Sequence, residues 1–142
     1  MSQKFYIDTC IYINSWQKEE KNGVLYWQIA EKLFEKIEQD DGRICFSDYI
    51  LKELKHILTE QEFETRATIF NNDVYIKMDI EKEEKNQARD IEMTLNYELG
   101  FYDILHMLLA KKAHAILVTR DGNLLRTAKK YVIDAKRPEE IL

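Results

Sequence analysis

Phe5-Tyr6-Ile7-Asp8-Thr9-Cys10-Ile11-Tyr12-Ile13 sets one carboxylate inside a run of aromatic, aliphatic and small residues. The front of the stretch shows no polar alternation, which is the pattern of a strand covered on both faces, as in a parallel sheet between helices. Desolvating a carboxylate in such surroundings is costly unless it is paired, hydrogen-bonded or bound to a cation. Asp8 is therefore expected where the strand ends and a helix begins. That edge, at the carboxyl ends of the strands, is where open α/β sheets bind ligands. A helix N-cap would equally explain Asp8 taken alone; three further carboxylates in similar settings favour a shared site.

Working outward, Asn22-Gly23 is a turn signal that ends a short helix after Asp8. Leu25, Ile29, Leu33, Phe34 and Ile37 then recur at helical spacing between Val24 and about Gln39. Arg43-Ile44-Cys45-Phe46 reads as a second strand, with Ser47 as N-cap of a helix from Asp48 to Leu58. Glu53 lies on a flank of that helix's apolar stripe. Thr59-x-x-Glu62 is a capping box opening another helix that ends near Asn71-Asn72, and Val74 to Met78 is a candidate short strand. A charged helix follows from Glu81 to about Tyr97, with Glu81 expected to pair with Lys85 on a solvated face. Phe101 to Lys111 is apolar nearly all round and so predicts a buried helix, with Asp103 in its first turn and His106 as a half-buried, hydrogen-bonded residue rather than a ligand. Ala115-Ile116-Leu117-Val118 is another buried strand, and Asp121 falls in the loop beyond it. A short helix from Asn123 to Lys130, a last strand at Tyr131-Val132-Ile133 and a terminal turn at Pro138-Glu139-Glu140 complete the chain. Strands alternating with helices predict an α/β sandwich around a mostly parallel sheet.

The 142 residues suit one domain with a core of its own. With one proline and four glycines there is no stretch that reads as a linker, and no internal repeat is visible. Twenty-one basic against 26 acidic residues, a formal charge of -5, argues against coating nucleic acid by bulk charge. A nuclease stays open, because bound cations invert the local potential of an acidic site. Cys10 and Cys45 lack the spacing of a zinc site and read as small buried hydrophobes of a reducing compartment. No apolar run approaches the ~18 residues of a membrane span, and Asp8 comes too early for a signal peptide's apolar core. The expectation is a cytoplasmic protein away from membranes.

Asp8, Asp103 and Asp121 stand out because each lies in or beside an apolar run, whereas Glu53 is one of several charges on its helix. If the sheet is parallel, all four belong near one edge. Gathered carboxylates repel, so one stays protonated unless a cation intervenes. An oxygen donor set prefers Mg²⁺ or Mn²⁺ to zinc or copper and leaves room for waters and substrate phosphate oxygens. Such a cation generates hydroxide and supports in-line displacement at phosphorus.

Four segments in this order carry a resemblance: Phe5-Tyr6-Ile7-Asp8-Thr9, Ser47-Asp48-Tyr49-Ile50-Leu51-Lys52-Glu53-Leu54, Tyr102-Asp103-Ile104-Leu105-His106-Met107-Leu108-Leu109-Ala110 and Val118-Thr119-Arg120-Asp121. Together they resemble the PIN-domain family, and most closely its VapC-type ribonuclease toxins. The resemblance implies a PIN-like α/β/α sandwich and an Mg²⁺- or Mn²⁺-dependent endoribonuclease. It also implies a homodimer and, often, a cognate antitoxin. Asp8, Glu53, Asp103 and Asp121 would be the metal-site acids, and Thr119 the hydroxyl that supports them. Cys10 departs from the family, where Asn or Ser is common after Asp-Thr.

For RNA contact the candidates are Arg120, Arg126, Lys129 and Lys130, each of which also reads as ordinary surface charge. Tyr12, Trp16, Tyr26 and Trp27 could stack on bases, but their spacing fits core or a dimer interface better. Two other functions compete. A phosphatase with an aspartyl nucleophile would want a second acid where Cys10 stands, and a non-catalytic binding module would have no need of four acids. An RNA-processing nuclease without an antitoxin would share all these features.

Overall fold

The computed structural model describes residues 2–142. In chain order the elements are β1 (Lys4–Ile7), α1 (Thr9–Trp16), α2 (Tyr26–Gln39), β2 (Arg43–Phe46), α3 (Asp48–Ile57) and α4 (Glu60–Arg66). A 3-10 turn at Ala67–Asn71 leads to β3 (Tyr75–Lys77), α5 (Lys82–Thr94), α6 (Phe101–Ala113), β4 (Ile116–Val118), α7 (Gly122–Lys130), β5 (Ala135–Lys136) and α8 (Pro138–Ile141). The five strands form one sheet in the order β3-β2-β1-β4-β5, with every pair parallel.

The apolar runs account for this arrangement. Phe5, Tyr6 and Ile7 are all buried although successive side chains point to opposite faces, so β1 is covered on both sides. Its neighbours supply Ile44, Cys45 and Phe46 on one flank and Leu117 and Val118 on the other. Helix α6 buries eight of its thirteen residues and packs against β1 and β4, as expected of a helix with almost no polar face. Helix α2 packs against β2 and α1. The chain therefore forms an α/β sandwich around an all-parallel sheet. Connections run outward from β1 to β2 and β3, then return to β4 and β5 on its other side. That reversal puts a topological switch point at the carboxyl ends of β1 and β4, where Asp8 and Thr119 stand.

Two local expectations are corrected. The last strand is not Tyr131-Val132-Ile133: Tyr131 ends α7, Val132 is left-handed at φ +57°, and the pairing strand is Ala135–Lys136. Ile133 is apolar because it plugs the core, not because it pairs. Lys85 is not the partner of Glu81; Lys112, at the end of α6, takes Glu84 at 2.8 Å and Glu81 at 3.9 Å, tying α5 to α6. Ser47 occupies the N-cap position of α3, but its hydroxyl makes no capping bond. The capping box at Thr59 and Glu62 is present as read.

Candidate metal and active site

Asp8 follows β1 directly and begins α1. Its Oδ1 accepts from the Thr9 N–H at 2.8 Å, and its Oδ2 accepts from the Thr119 hydroxyl at 2.7 Å and from the Cys10 thiol at 3.4 Å. The N-cap role and the site role thus fall to different oxygens of one carboxylate. Thr119 Oγ1 also accepts from the Asp121 N–H at 3.1 Å, so one hydroxyl joins the ends of β1 and β4. Asp121 caps α7, with Oδ1 accepting from the N–H groups of Asn123 and Leu124, which leaves Oδ2 outside the cap.

Glu53 reaches the same place from α3. Its Oε1 accepts from the Thr9 hydroxyl at 2.9 Å and meets His106 Nε2 at 2.5 Å. His106 is fully buried rather than half-buried, and its Nδ1 lies 2.8 Å from the Tyr6 hydroxyl, itself 2.7 Å from Ser47 Oγ. Burial pushes the Tyr6 phenol well above its ordinary range, so the phenol keeps its proton. Phenol and imidazole thus join Ser47 to Glu53 in one hydrogen-bonded chain.

Ligand atoms of Asp8, Glu53 and His106 lie within 4.8 Å of one another. Asp103 and Asp121 are outside that tightest group, yet both belong electrostatically to the same cluster. The Asp103 carboxyl is pushed from the ordinary 3.8 up to about 7, chiefly by burial and then by the charge of Asp8, with His106 opposing and Glu53 and Asp121 adding. Of the four acids read from the sequence, Asp8 and Glu53 meet with His106, while Asp103 and Asp121 are linked to them through the charges felt at Asp103.

Tyr6 and Ser47 are the members sequence reasoning missed, whereas His106, read as hydrogen-bonded, is bonded at both ring nitrogens. The available signal was that His106 lies one turn after Asp103, on the same helix face. Tyr6 sits in an apolar run where a phenol must find a partner.

The donor set suits a hard divalent cation. Both nitrogens of His106 are engaged, and burial raises the Cys10 thiol far above its usual range, keeping it neutral. Carboxylate oxygens remain, and burial, followed by the charge of Asp8, holds Asp103 partly protonated near neutral pH, an imbalance a cation relieves.

The basic candidates differ in their surroundings. Arg120 is tied to Asn14 at 3.2 Å and to Glu139, and lies 3.8 Å over the Tyr26 ring, joining α1, α2 and α8. Arg126, Lys129 and Lys130 are exposed along α7, with Arg126 bonded to Asn123. Tyr12 is buried against Trp16, Phe34 and Phe70, and Trp27 carries Lys18 over its ring, so these aromatics serve packing.

Residues 5–130 match the model of the PIN domain. No curated protein matches the chain by sequence. Among solved structures, VapBC2 from Rickettsia felis bound to a DNA fragment from its promoter aligns with a TM-score of 0.70 at 15% identity, covering 95% of this chain and 98% of that one. DNA-bound VapBC from Salmonella typhimurium aligns at 0.61 with 19% identity, over 96% and 98%. FitAcB from Neisseria gonorrhoeae aligns at 0.61 with 14% identity, over 95% and 98%. At these identities the likeness concerns the fold.

Proposed function

The chain belongs to the PIN-domain family, and on that premise we propose that it is a metal-dependent endoribonuclease hydrolysing RNA phosphodiester bonds. The observation that supports the reading is the meeting of Asp8 and Glu53 beside the switch point of the sheet, with the Asp103 carboxyl raised to about 7 by burial and then by the charge of Asp8. Those four residues would hold Mg²⁺ or Mn²⁺. Bound there, a divalent cation supplies a water of lowered pKa and positive charge opposite the scissile phosphate.

The protein's own part is positioning. Thr119 fixes Asp8 through Oδ2, and Thr9 with His106 fixes Glu53 through Oε1, leaving Glu53 Oε2 for a ligand or a water. The Tyr6–Ser47 pair behind His106 holds the imidazole in place against Glu53. Phosphate would be met from the α7 side by Arg126, Lys129 and Lys130. The resemblance to VapC-type toxins extends the proposal to a homodimer, RNA as substrate and a cognate antitoxin protein as partner.

The test is incubation of purified protein with single-stranded RNA and Mg²⁺ or Mn²⁺. Cleavage should appear, stop on chelation, and vanish in Asp8→Asn while that variant still melts cooperatively. Undiminished metal-dependent cutting by Asp8→Asn removes the site assignment. Trapping of a phospho-aspartate at position 8 would instead support a phosphatase.

A further inference from the structure

Beside Glu53, α3 and α6 leave an open groove of about 430 Å³ lined by Lys52, Glu53, His56, Ile57 and Tyr102. Its position is fixed by helix geometry. Lys52 immediately precedes Glu53 and Tyr102 immediately precedes Asp103, so one helical step of about 100° turns each outward from a site acid. The groove is continuous with the site because Glu53 belongs to both. Its size suits one small organic group.

The lining is unusual for a solvated surface. Ile57 is 51% exposed and Tyr102 36% exposed. Tyr102 stands edge-to-face with Tyr49, ring centroids 4.6 Å apart at 80°. The Lys52 ammonium lies 4.7 Å over the Tyr49 ring, which sets a cation beside the Tyr49–Tyr102 pair. Lys52 and His56 add cationic or donor character at the mouth. An aromatic face, an exposed aliphatic and a lysine next to a phosphodiester-cleaving centre match the chemistry of a nucleotide, with a base to stack and a phosphate to neutralise.

We propose that this groove is a base-binding subsite, in which Tyr102 and Ile57 hold the nucleobase of the single-stranded ribonucleotide next to the scissile phosphate while Lys52 meets its backbone. The proposal rests on the nuclease reading above. The groove shares Glu53 with the site, and the exposed Arg126 and Lys130 lie along α7, the helix that Asp121 caps, so the RNA would pass the acids between an aromatic bank and a basic one. Stacking accepts any base, so the subsite sets affinity and a preference for unpaired RNA more than sequence.

The experiment measures binding of short single-stranded RNA carrying 2-aminopurine by the cleavage-dead Asp8→Asn protein, then by the same protein with groove substitutions. Quenching of the 2-aminopurine on binding is the expected signature of stacking. Tyr102→Ala should weaken binding about tenfold and abolish the quenching, Tyr102→Phe should restore both, and Ile57→Ser should weaken binding severalfold. In the otherwise native protein Tyr102→Ala should raise KM with little change in kcat and leave the Mn²⁺-induced rise in melting temperature intact. Wild-type affinity and quenching in Tyr102→Ala overturn the subsite while leaving the nuclease standing. A change of oligomeric state at unchanged RNA affinity per protomer also overturns it, in favour of a protein occupant. Absence of both RNA cleavage and RNA binding by the parent proteins overturns subsite and nuclease together.

Discussion

The two edges of the sheet are opposites. At the carboxyl edge, Asp8, Glu53 and Asp121 are pinned by hydroxyls, an imidazole and backbone N–H groups. At the other edge lies a larger hollow of about 510 Å³, bordered by Gln3, Lys111, His114, Val132 and Asp134 among others. Among the described residues it holds no cluster of metal-ligating side chains. Volume alone would choose the wrong edge. Crowding of like charge chooses the other, because side chains that destabilise one another persist together only where something compensates them.

The largest expected effect is at Asp103. Asp103→Asn should lower cleavage by more than about a hundredfold, in line with loss of a group at a metal site. The same change should raise the melting temperature of the metal-free protein at pH above ~8 and leave it nearly unchanged near pH ~4. The sign follows from the raised value. Between the ordinary 3.8 and about 7 the folded state binds the proton more tightly than the unfolded state, so stability falls as pH rises through that window, and Asn removes the loss. Melting curves across pH with and without Mn²⁺ check both halves. A variant less stable at every pH would mean that Asp103 is a structural acid and would blur the contrast between the edges.

Next is Tyr6→Phe, which touches no substrate. It strands the Ser47 hydroxyl and His106 Nδ1, and urea unfolding should show a loss of about 1–3 kcal/mol. Cleavage should fall by about ten- to a hundredfold through a loosened Glu53. Unchanged activity would show that Glu53 needs no support from behind. Smaller is Arg120→Ala, expected to lose about 1 kcal/mol of stability through Tyr26 and Glu139. RNA affinity that falls sharply at unchanged stability would instead make Arg120 a substrate contact. Smallest is Val132→Gly, at the opposite edge. Val132 is 91% exposed in a left-handed conformation that suits glycine, and the substitution should raise stability by about 0.5–1 kcal/mol without touching cleavage.

Most of the scaffold was legible because it is written in apolar runs. β1, β2 and β4 and the buried helix α6 follow from Phe5–Ile7, Ile44–Phe46, Leu117–Val118 and Ile104–Ala110 without further context. The four acids were legible as intruders in or beside such runs, Glu53 least so. Partners separated by long stretches of chain were not. Nothing local links His106 to Glu53 or Tyr6, and Ser47 looked like a cap because the residue type suits both jobs. β5 escaped because two residues carry no periodicity, while Tyr131-Val132-Ile133 offered a β-like composition that the left-handed Val132 breaks.

Thr119 and Asp8, whose side chains bond directly, are 111 positions apart. During synthesis the first acid leaves the ribosome long before the last, and β4 cannot dock until its residues follow. A partly made chain therefore lacks the Thr119 hydroxyl that holds Asp8, and the cluster at the switch point closes only when the last third of the chain is in place.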